Sequence, residues 1–219
     1  MKVIAIDGPA GAGKSSVSAR LAERLGYMRL DTGALYRAIG LAALRAGVEP
    51  CEGEALTELL GPLTVDQIDG AVLLNGSLEG DSLRTPEVSR AASDFASLPS
   101  VRAKLLELQR EIGQRRPCIV DGRDIGTVVF PDAPLKIYLT ASSRARAERR
   151  LLELQGRGIA QALEDVQREI EERDHQDMSR EIAPLKRATD ARLVDATALT
   201  LEEVVEACLV LAHQVFGER

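Results

Sequence analysis

Residues 8 to 16 read GPAGAGKSS, and their types and spacing suit the binding of a polyphosphate. Gly8, Gly13, Lys14 and Ser15 hold the fixed places of the pattern G-x-x-x-x-G-K-[ST]. Glycines there let consecutive backbone N–H groups converge on one anion at the start of a helix. Lys14 has the reach for the β and γ phosphates of a nucleoside triphosphate, and the Ser15 hydroxyl can ligate Mg²⁺. The candidate triphosphate loop thus comprises Gly8, Pro9, Ala10, Gly11, Ala12, Gly13, Lys14, Ser15 and Ser16. Ser16 stands where a dinucleotide fingerprint needs a third Gly or Ala. None of the five lysines has an Asp two residues later, so the N-K-x-D motif of guanine readout is missing.

Further anion-binding residues lie elsewhere. DTGALYR at 31 to 37 sets Asp31 and Thr32 at a strand end, with Tyr36 and Arg37 one turn into a helix. CIVDGRDIG at 118 to 126 runs a buried strand into Asp121, Arg123 and Asp124, with Gly122 expected to make a tight turn. Arg173, Asp177 and Arg180 fall at i, i+4 and i+7 on one helical face. Taken singly, these have plain structural accounts: an N-cap at Asp31 or Thr32, a turn-capping carboxylate at Asp121, and surface ion pairs such as Glu169 with Arg173. Together, Arg37, Arg123, Arg173 and Arg180 supply more forked phosphate donors than one triphosphate requires, and a second phosphorylated ligand explains the surplus.

The elements that must position these groups show in the hydropathy pattern. Short apolar runs ending in an acid recur at VIAID (3 to 7), MRLD (28 to 31), CIVD (118 to 121) and LVD (193 to 195), and LKIYLTAS (135 to 142) has the same apolar body. Separated by helical stretches, including 15 to 25 and 201 to 216, they predict buried parallel strands with crossover helices. Residues 47 to 84, with turn signals at Asp69-Gly70 and Asn75-Gly76, predict a small hairpin-bearing insertion. Two charge-rich helices flanking Gly156-Arg157-Gly158 make 143 to 187 a helical flap.

The bulk properties exclude several classes. A net charge of −6 over 219 residues argues against general nucleic-acid binding. Cys51, Cys118 and Cys208 lie far apart without a C-x-x-C pair, as expected of reduced thiols in the cytoplasm. No apolar run approaches the roughly 20 residues that span a bilayer.

The phosphate loop, DTGALYRA, RTPEVSRAAS (84 to 93), DGRDIGTVVFPDAP (121 to 134) and RD-x-x-D-x-x-R (173 to 180) occur in the order and spacing of the bacterial cytidylate kinases, which the chain resembles over nearly its whole length. The resemblance implies an α/β P-loop NTPase fold: a five-stranded parallel sheet flanked by helices, an inserted monophosphate-binding lobe with a small hairpin, and a helical lid. The expected division is a core of 1–31, 105–142 and 188–219, a lobe of 32–104 and a lid of 143–187. It further implies a monomeric enzyme of pyrimidine salvage that transfers the γ-phosphoryl of ATP, with Mg²⁺, to CMP or dCMP. Its partners are these small molecules, with no nucleic acid and no membrane.

By that resemblance Ser93, Arg102 and Asp124 contact cytosine, Arg37, Arg123 and Arg180 hold the CMP phosphate, and Thr32, Arg173 and Asp177 surround the sugar and its neighbouring phosphate. Lys14, Arg123, Arg173 and Arg180 are the catalytic candidates, and the flap residue Arg149 is a weaker one. Ser15 is the Mg²⁺ ligand, and Asp121 is the candidate for orienting the ion's surroundings. A carboxylate suits the cytosine amine and would face a carbonyl in uracil. Ser93 also fits a helix-packing role beside Ala91 and Ala92, and Arg102 a solvated helix position. Two other functions remain open on the residues alone. One is a P-loop kinase of a small-molecule hydroxyl with Asp31 as base. The other is a non-catalytic nucleotide switch.

Overall fold

The computed structural model describes residues 2–68, 70–156 and 158–217. Asp69 of the expected Asp69-Gly70 turn and Arg157 between the two flap helices lie outside the described residues. The chain opens with β1 (Val3–Asp7), the phosphate loop and α1 (Lys14–Leu25), then β2 (Met28–Asp31) and α2 (Thr32–Ala46). After α3 (Glu54–Leu60) come three short strands, β3 (Val65–Ile68), β4 (Ala71–Leu74) and β5 (Ser77–Glu79). Next are α4 (Pro86–Phe95), α5 (Pro99–Arg115) and β6 (Cys118–Gly122). One π-helical turn (Ile125–Val129) leads to β7 (Leu135–Thr140), followed by α6 (Ser143–Gly156), α7 (Leu163–Ser179), β8 (Arg192–Asp195) and α8 (Leu201–Phe216).

The larger sheet is five-stranded and parallel, in the order β2-β6-β1-β7-β8. β1 is buried along its whole length, which is why VIAID reads as an unbroken apolar run and does not alternate. Its register with β7 pairs Ile4 with Leu135 and Asp7 with Tyr138. β1 lies between β6 and β7, so the chain leaves it toward one side of the sheet and later returns on the other. Ligand sites of open α/β sheets form at such a reversal, outside the carboxyl ends of the strands.

Packing divides the chain into two compact units, Met1–Tyr27 with Ile119–Arg219, and Met28–Cys118. In the first, Ile4, Ile6, Ile137 and Leu139 of the sheet pack with Val17 and Leu21 of α1 and Val205 and Leu209 of α8. A capping box between Thr200 and Glu203 starts α8. The flap helices share a smaller apolar cluster of Ala147, Leu154, Val166 and Ile170. In the second unit, Thr85 accepts the Val88 amide and Pro86 takes the first turn of α4, so the TPEV of RTPEVSRAAS acts as a helix start.

Two expectations are corrected, and that of a hairpin in the insertion is extended. The insertion holds a three-stranded antiparallel sheet, β3-β4-β5, larger than a single hairpin. Its β4–β5 connection has left-handed backbone at Asn75 and Gly76, the geometry of a tight hairpin turn. Gly122 ends β6 as a strand residue, and the chain bends at Arg123–Asp124 instead. Arg180 sits just past the end of α7 with extended ψ, so only Arg173 and Asp177 are on the helix proper.

Gly40 lets α2 and α4 approach: a Cβ there would lie 2.8 Å from the Ala92 backbone nitrogen and 3.2 Å from the Ala91 Cβ. Gly40→Ala is therefore expected to cost about 1–3 kcal/mol by overpacking. The thermal midpoint should fall by roughly 2–4 °C for each kcal/mol in a chain of this size. An unchanged midpoint would contradict this account of the α2–α4 contact.

Candidate active site

In the first unit the phosphate loop leaves β1 through Gly8, where φ is 151° and a Cβ would fall 1.9 Å from the Leu139 carbonyl oxygen. Only glycine fits this close passage over β7. Gly13, in the left-handed region, caps α1. The Lys14 ammonium is buried and donates to the carbonyls of Gly8 and Pro9, each at 2.7 Å. Burial and the positive charge of Arg123 hold its pKa well below the usual value, against the pull of Asp121, Asp177 and Asp7. Such a pair of cations favours an anionic ligand.

Asp121 accepts the Ser15 hydroxyl at 3.0 Å and the Ser18 hydroxyl at 2.5 Å. It therefore ties the end of β6 to α1. Ser15 and Asp121 supply hydroxyl and carboxylate oxygens, hard donors that suit Mg²⁺. Among the described residues no group of three or more His, Cys, Asp or Glu could hold a metal. An ion at Ser15 would share its coordination with phosphates and water, as Mg²⁺ commonly does.

Asp177 gathers the arginines. Arg123 Nε donates to its Oδ2 at 2.6 Å, and Arg180 Nη2 lies 3.5 Å from Oδ1. Burial alone would raise the Asp177 carboxyl, but Arg123, Arg180 and Arg173 overcome it and hold the pKa below the ordinary value. Asp124 is buried, and its carbonyl accepts the amides of Val128 and Val129. Arg149 donates to the carbonyls of Ala196 and Leu199, in the segment between β8 and α8.

In the second unit Asp31 is the hub. It caps α2 through the Ala34 amide at 2.9 Å, and its Oδ2 lies 3.2 Å from Arg29 Nη2 and 3.3 Å from Arg37 Nη2. Its own amide donates to Gln67 Oε1 at 2.8 Å, so the inserted sheet holds the end of β2. A carboxylate so engaged is a strap for arginines, which counts against Asp31 as a base. Arg37 Nε is buried without a hydrogen-bond partner, a donor suited to a ligand anion. Thr32 is buried at the first position of α2. Arg102 is also buried, so the solvated-surface account does not apply to it. Its guanidinium lies 5.8 Å from the Tyr36 ring centroid, and Nη1 donates to the Ala96 carbonyl. Ser93 bonds back to the Ser89 carbonyl at 3.2 Å while Ala91 and Ala92 make the contact with Gly40.

The sequence profile of cytidylate kinase matches residues 4–214. The chain belongs to the cytidylate kinase family. It is 46% identical over 218 residues to a cytidylate kinase of Caldicellulosiruptor saccharolyticus, covering 98% of this chain and 96% of that one. With a cytidylate kinase of Thermotoga neapolitana the identity is 48%, covering 96% of each chain. An uncharacterised protein of Eubacterium ventriosum shares the fold at a TM-score of 0.54 and 11% identity, covering 96% of this chain and 97% of that one.

Within this cytidylate kinase framework, three buried residues escaped the sequence reading. Arg146 donates to the carbonyls of Ala10 and Ala141 at 2.7 and 2.9 Å and lies 2.6 Å from Asp174, whose other oxygen accepts the Ala10 amide at 3.0 Å. This buried pair holds both flap helices to the phosphate loop. Asp174 lies inside the RD-x-x-D motif, but nothing in sequence separates Arg146 from Arg144, Arg149 and Arg150. The third is Asp7, visible in sequence only as an acid closing an apolar run. It accepts the amides of Ile125 and Gly126, each at 2.7 Å, yet burial pushes its pKa up to about 6.

A raised carboxyl pKa means that the native state binds the proton more tightly. Asp7 therefore adds stability below pH 3.8, its ordinary value, and that contribution is lost as pH rises through about 6. The interval corresponds to at most about 3 kcal/mol. In paired denaturation series, wild type should gain stability relative to Asp7→Asn as pH falls from 6 to 4. A difference that stays flat with pH would refute the assignment.

Proposed function

We propose that the chain transfers the γ-phosphoryl group of ATP to CMP and dCMP, giving ADP with CDP or dCDP. The observation that carries this is the cytidylate kinase match across residues 4–214, on a chain that keeps the phosphate loop and leaves Arg37 Nε buried without a hydrogen-bond partner. The acceptor is a phosphate oxygen that is already anionic at neutral pH, so no general base is needed. That removes the need for Asp31 as a base and disfavours a hydroxyl acceptor. A nucleotide switch would have no use for the surplus arginines.

The loop from Gly8 to Ser16 binds the ATP phosphates through its amides, and Lys14 exchanges its carbonyl partners for phosphate oxygens. Ser15 would hold Mg²⁺, with Asp121 orienting that hydroxyl, and the ion would offset charge on the transferred group. Arg123, Arg173 and Arg180 neutralise charge developing between donor and acceptor, and Asp177 keeps Arg123 and Arg180 aimed before ligands arrive. Among the CMP residues, Thr32 and Arg37 serve sugar and phosphate, and Ser93, Arg102 and Asp124 read the base. The Asp124 carboxylate accepts the cytosine amine and faces a carbonyl in uracil. On this reading 32–104 is the monophosphate lobe and 143–187 the lid that excludes water, and the enzyme works as a monomer on small molecules. Among the described residues no helix is long and apolar enough to cross a membrane.

A coupled assay offering ATP with CMP, dCMP, UMP, AMP, GMP and a panel of hydroxyl acceptors tests this directly. CMP and dCMP should exceed the others, and turnover of UMP as efficient as that of CMP would overturn the specificity. Asp124→Ala should narrow discrimination between CMP and UMP by about 1–3 kcal/mol, the scale of one lost base contact. Lys14→Ala should abolish turnover while circular dichroism reports an intact fold. Residual turnover near the wild-type rate would remove Lys14 from the machinery.

A further inference from the structure

Asp7 is the last residue of β1, directly before Gly8 of the phosphate loop, and is only 4% exposed. Its carboxylate is turned across to the segment after β6: Oδ1 accepts the Ile125 amide and Oδ2 the Gly126 amide, both at 2.7 Å. Residues 125–129 form the single π-helical turn, in which Val128 and Val129 bond back to the Asp124 carbonyl and Phe130 to that of Ile125. The first amides of a helical turn have no partner within it. Asp7 supplies both acceptors, so the turn is held from outside by one buried side chain. Gly126 packs against the clamp so closely that a Cβ would lie 3.3 Å from Asp7 Oδ2 and 3.0 Å from Lys136 Cδ.

The clamped amides immediately follow Arg123 and Asp124. Fixing two successive peptide units leaves the preceding bend little freedom, because only φ and ψ are soft along the chain. The raised pKa shows that the two hydrogen bonds do not fully offset the desolvation of this carboxylate. A group retained at a stability cost is expected where position matters for function.

We propose that Asp7 is a positioning residue for the acceptor nucleotide, setting Arg123 and Asp124 for CMP by clamping the Ile125 and Gly126 amides. The proposal rests on the reading of Arg123 and Asp124 as CMP contacts. One carboxylate at the end of β1 thereby couples the strand that feeds the ATP loop to the turn that reads the acceptor.

Asp7→Asn preserves volume and one acceptor but sets an NH₂ group against the second amide, so half the clamp is lost. Steady-state kinetics with CMP, UMP and ATP should show KM for CMP rising and the CMP over UMP preference falling roughly tenfold, the scale of a misplaced base contact. KM for ATP should stay within about twofold, since that binding is not the interaction removed. In an Asp124→Ala background, Asp7→Asn should produce no further loss of discrimination, the mark of two residues acting through one contact. Additive losses, an equal rise in both KM values, or intact discrimination with unchanged KM for CMP would each overturn the proposal.

If Asp124→Ala alone leaves discrimination unchanged, the base-reading role fails, and the clamp is judged on the split between KM for CMP and KM for ATP. Gly126→Ala perturbs the clamp from the other side by pressing a methyl group on Asp7 and Lys136. It should give the same selective loss on CMP. If Asp7→Asn does not fold, a folded Gly126→Ala enzyme with wild-type KM for CMP is enough to refute the proposal.

Discussion

Charge burial at the carboxyl ends of β1 and β6 is the constraint that the rest of the first unit depends on. Asp7, Lys14, Asp121, Asp124, Arg146, Asp174 and Asp177 are all buried there. Taking an ion out of water costs several kcal/mol unless partners replace the lost solvation. Specific arrangements offset that cost, in part for Asp7 and Lys14: two hydroxyls on Asp121, two amides on Asp7, an arginine and an amide on Asp174, two arginines on Asp177, and two carbonyls under Lys14. Most of these contacts join separate elements: β6 to α1 through Asp121, β1 to the π-helical turn through Asp7, and α7 to the phosphate loop and α6 through Asp174. The sheet, α1 and the flap helices are therefore held in one geometry by the same contacts that keep the charges solvated.

That arrangement has a catalytic consequence for phosphoryl transfer. Dipoles and charges fixed before the reaction need no reorganisation when charge moves, and this is where the largest electrostatic gains lie. Burial and the Arg123 charge depress the protonation of Lys14, while Asp177 holds Arg123 charged and aimed. In the second unit Asp31 does for Arg29 and Arg37 what Asp177 does for Arg123 and Arg180. The inserted sheet takes part through Gln67, which fixes the Asp31 backbone. The insertion thus supports the carboxylate that straps Arg29 and Arg37, as well as adding surface.

Much of the fold was legible because its signals are local. Five apolar runs became five strands within one or two residues of their expected bounds. Strands β1, β6 and most of β7 are buried on both faces and need continuous apolar sequence, while the edge strand β8 buries only Val194. The phosphate loop was legible because its glycines answer to backbone geometry, as Gly8 shows against Leu139. Gly122 was misread: a glycine in a DGRD sequence resembles a turn, but here it completes a strand and the chain bends one residue later. Arg180 kept its helical spacing in sequence although α7 had already ended at Ser179. The insertion gained a third strand because SLE alone is too short to announce one.

The amino-acid sequence by itself determined the strand-loop-helix of the phosphate-loop motif, the order of α and β elements, and the candidate arginines, because each follows from residue type and short-range spacing. Tertiary structure alone decided which carboxylate serves which donor. Asp7 and Asp121 look alike as acids closing apolar runs, with Asp124 three residues further on, yet one clamps amides, one accepts two hydroxyls, and one lies in the bend before the π-helical turn. Arg146 and Asp174 are ordinary members of charge-rich helices until the fold buries them together against Ala10. The physical reason is the same in every case: the cost of burying a charge depends on what is brought to it from distant parts of the chain, which no local pattern records.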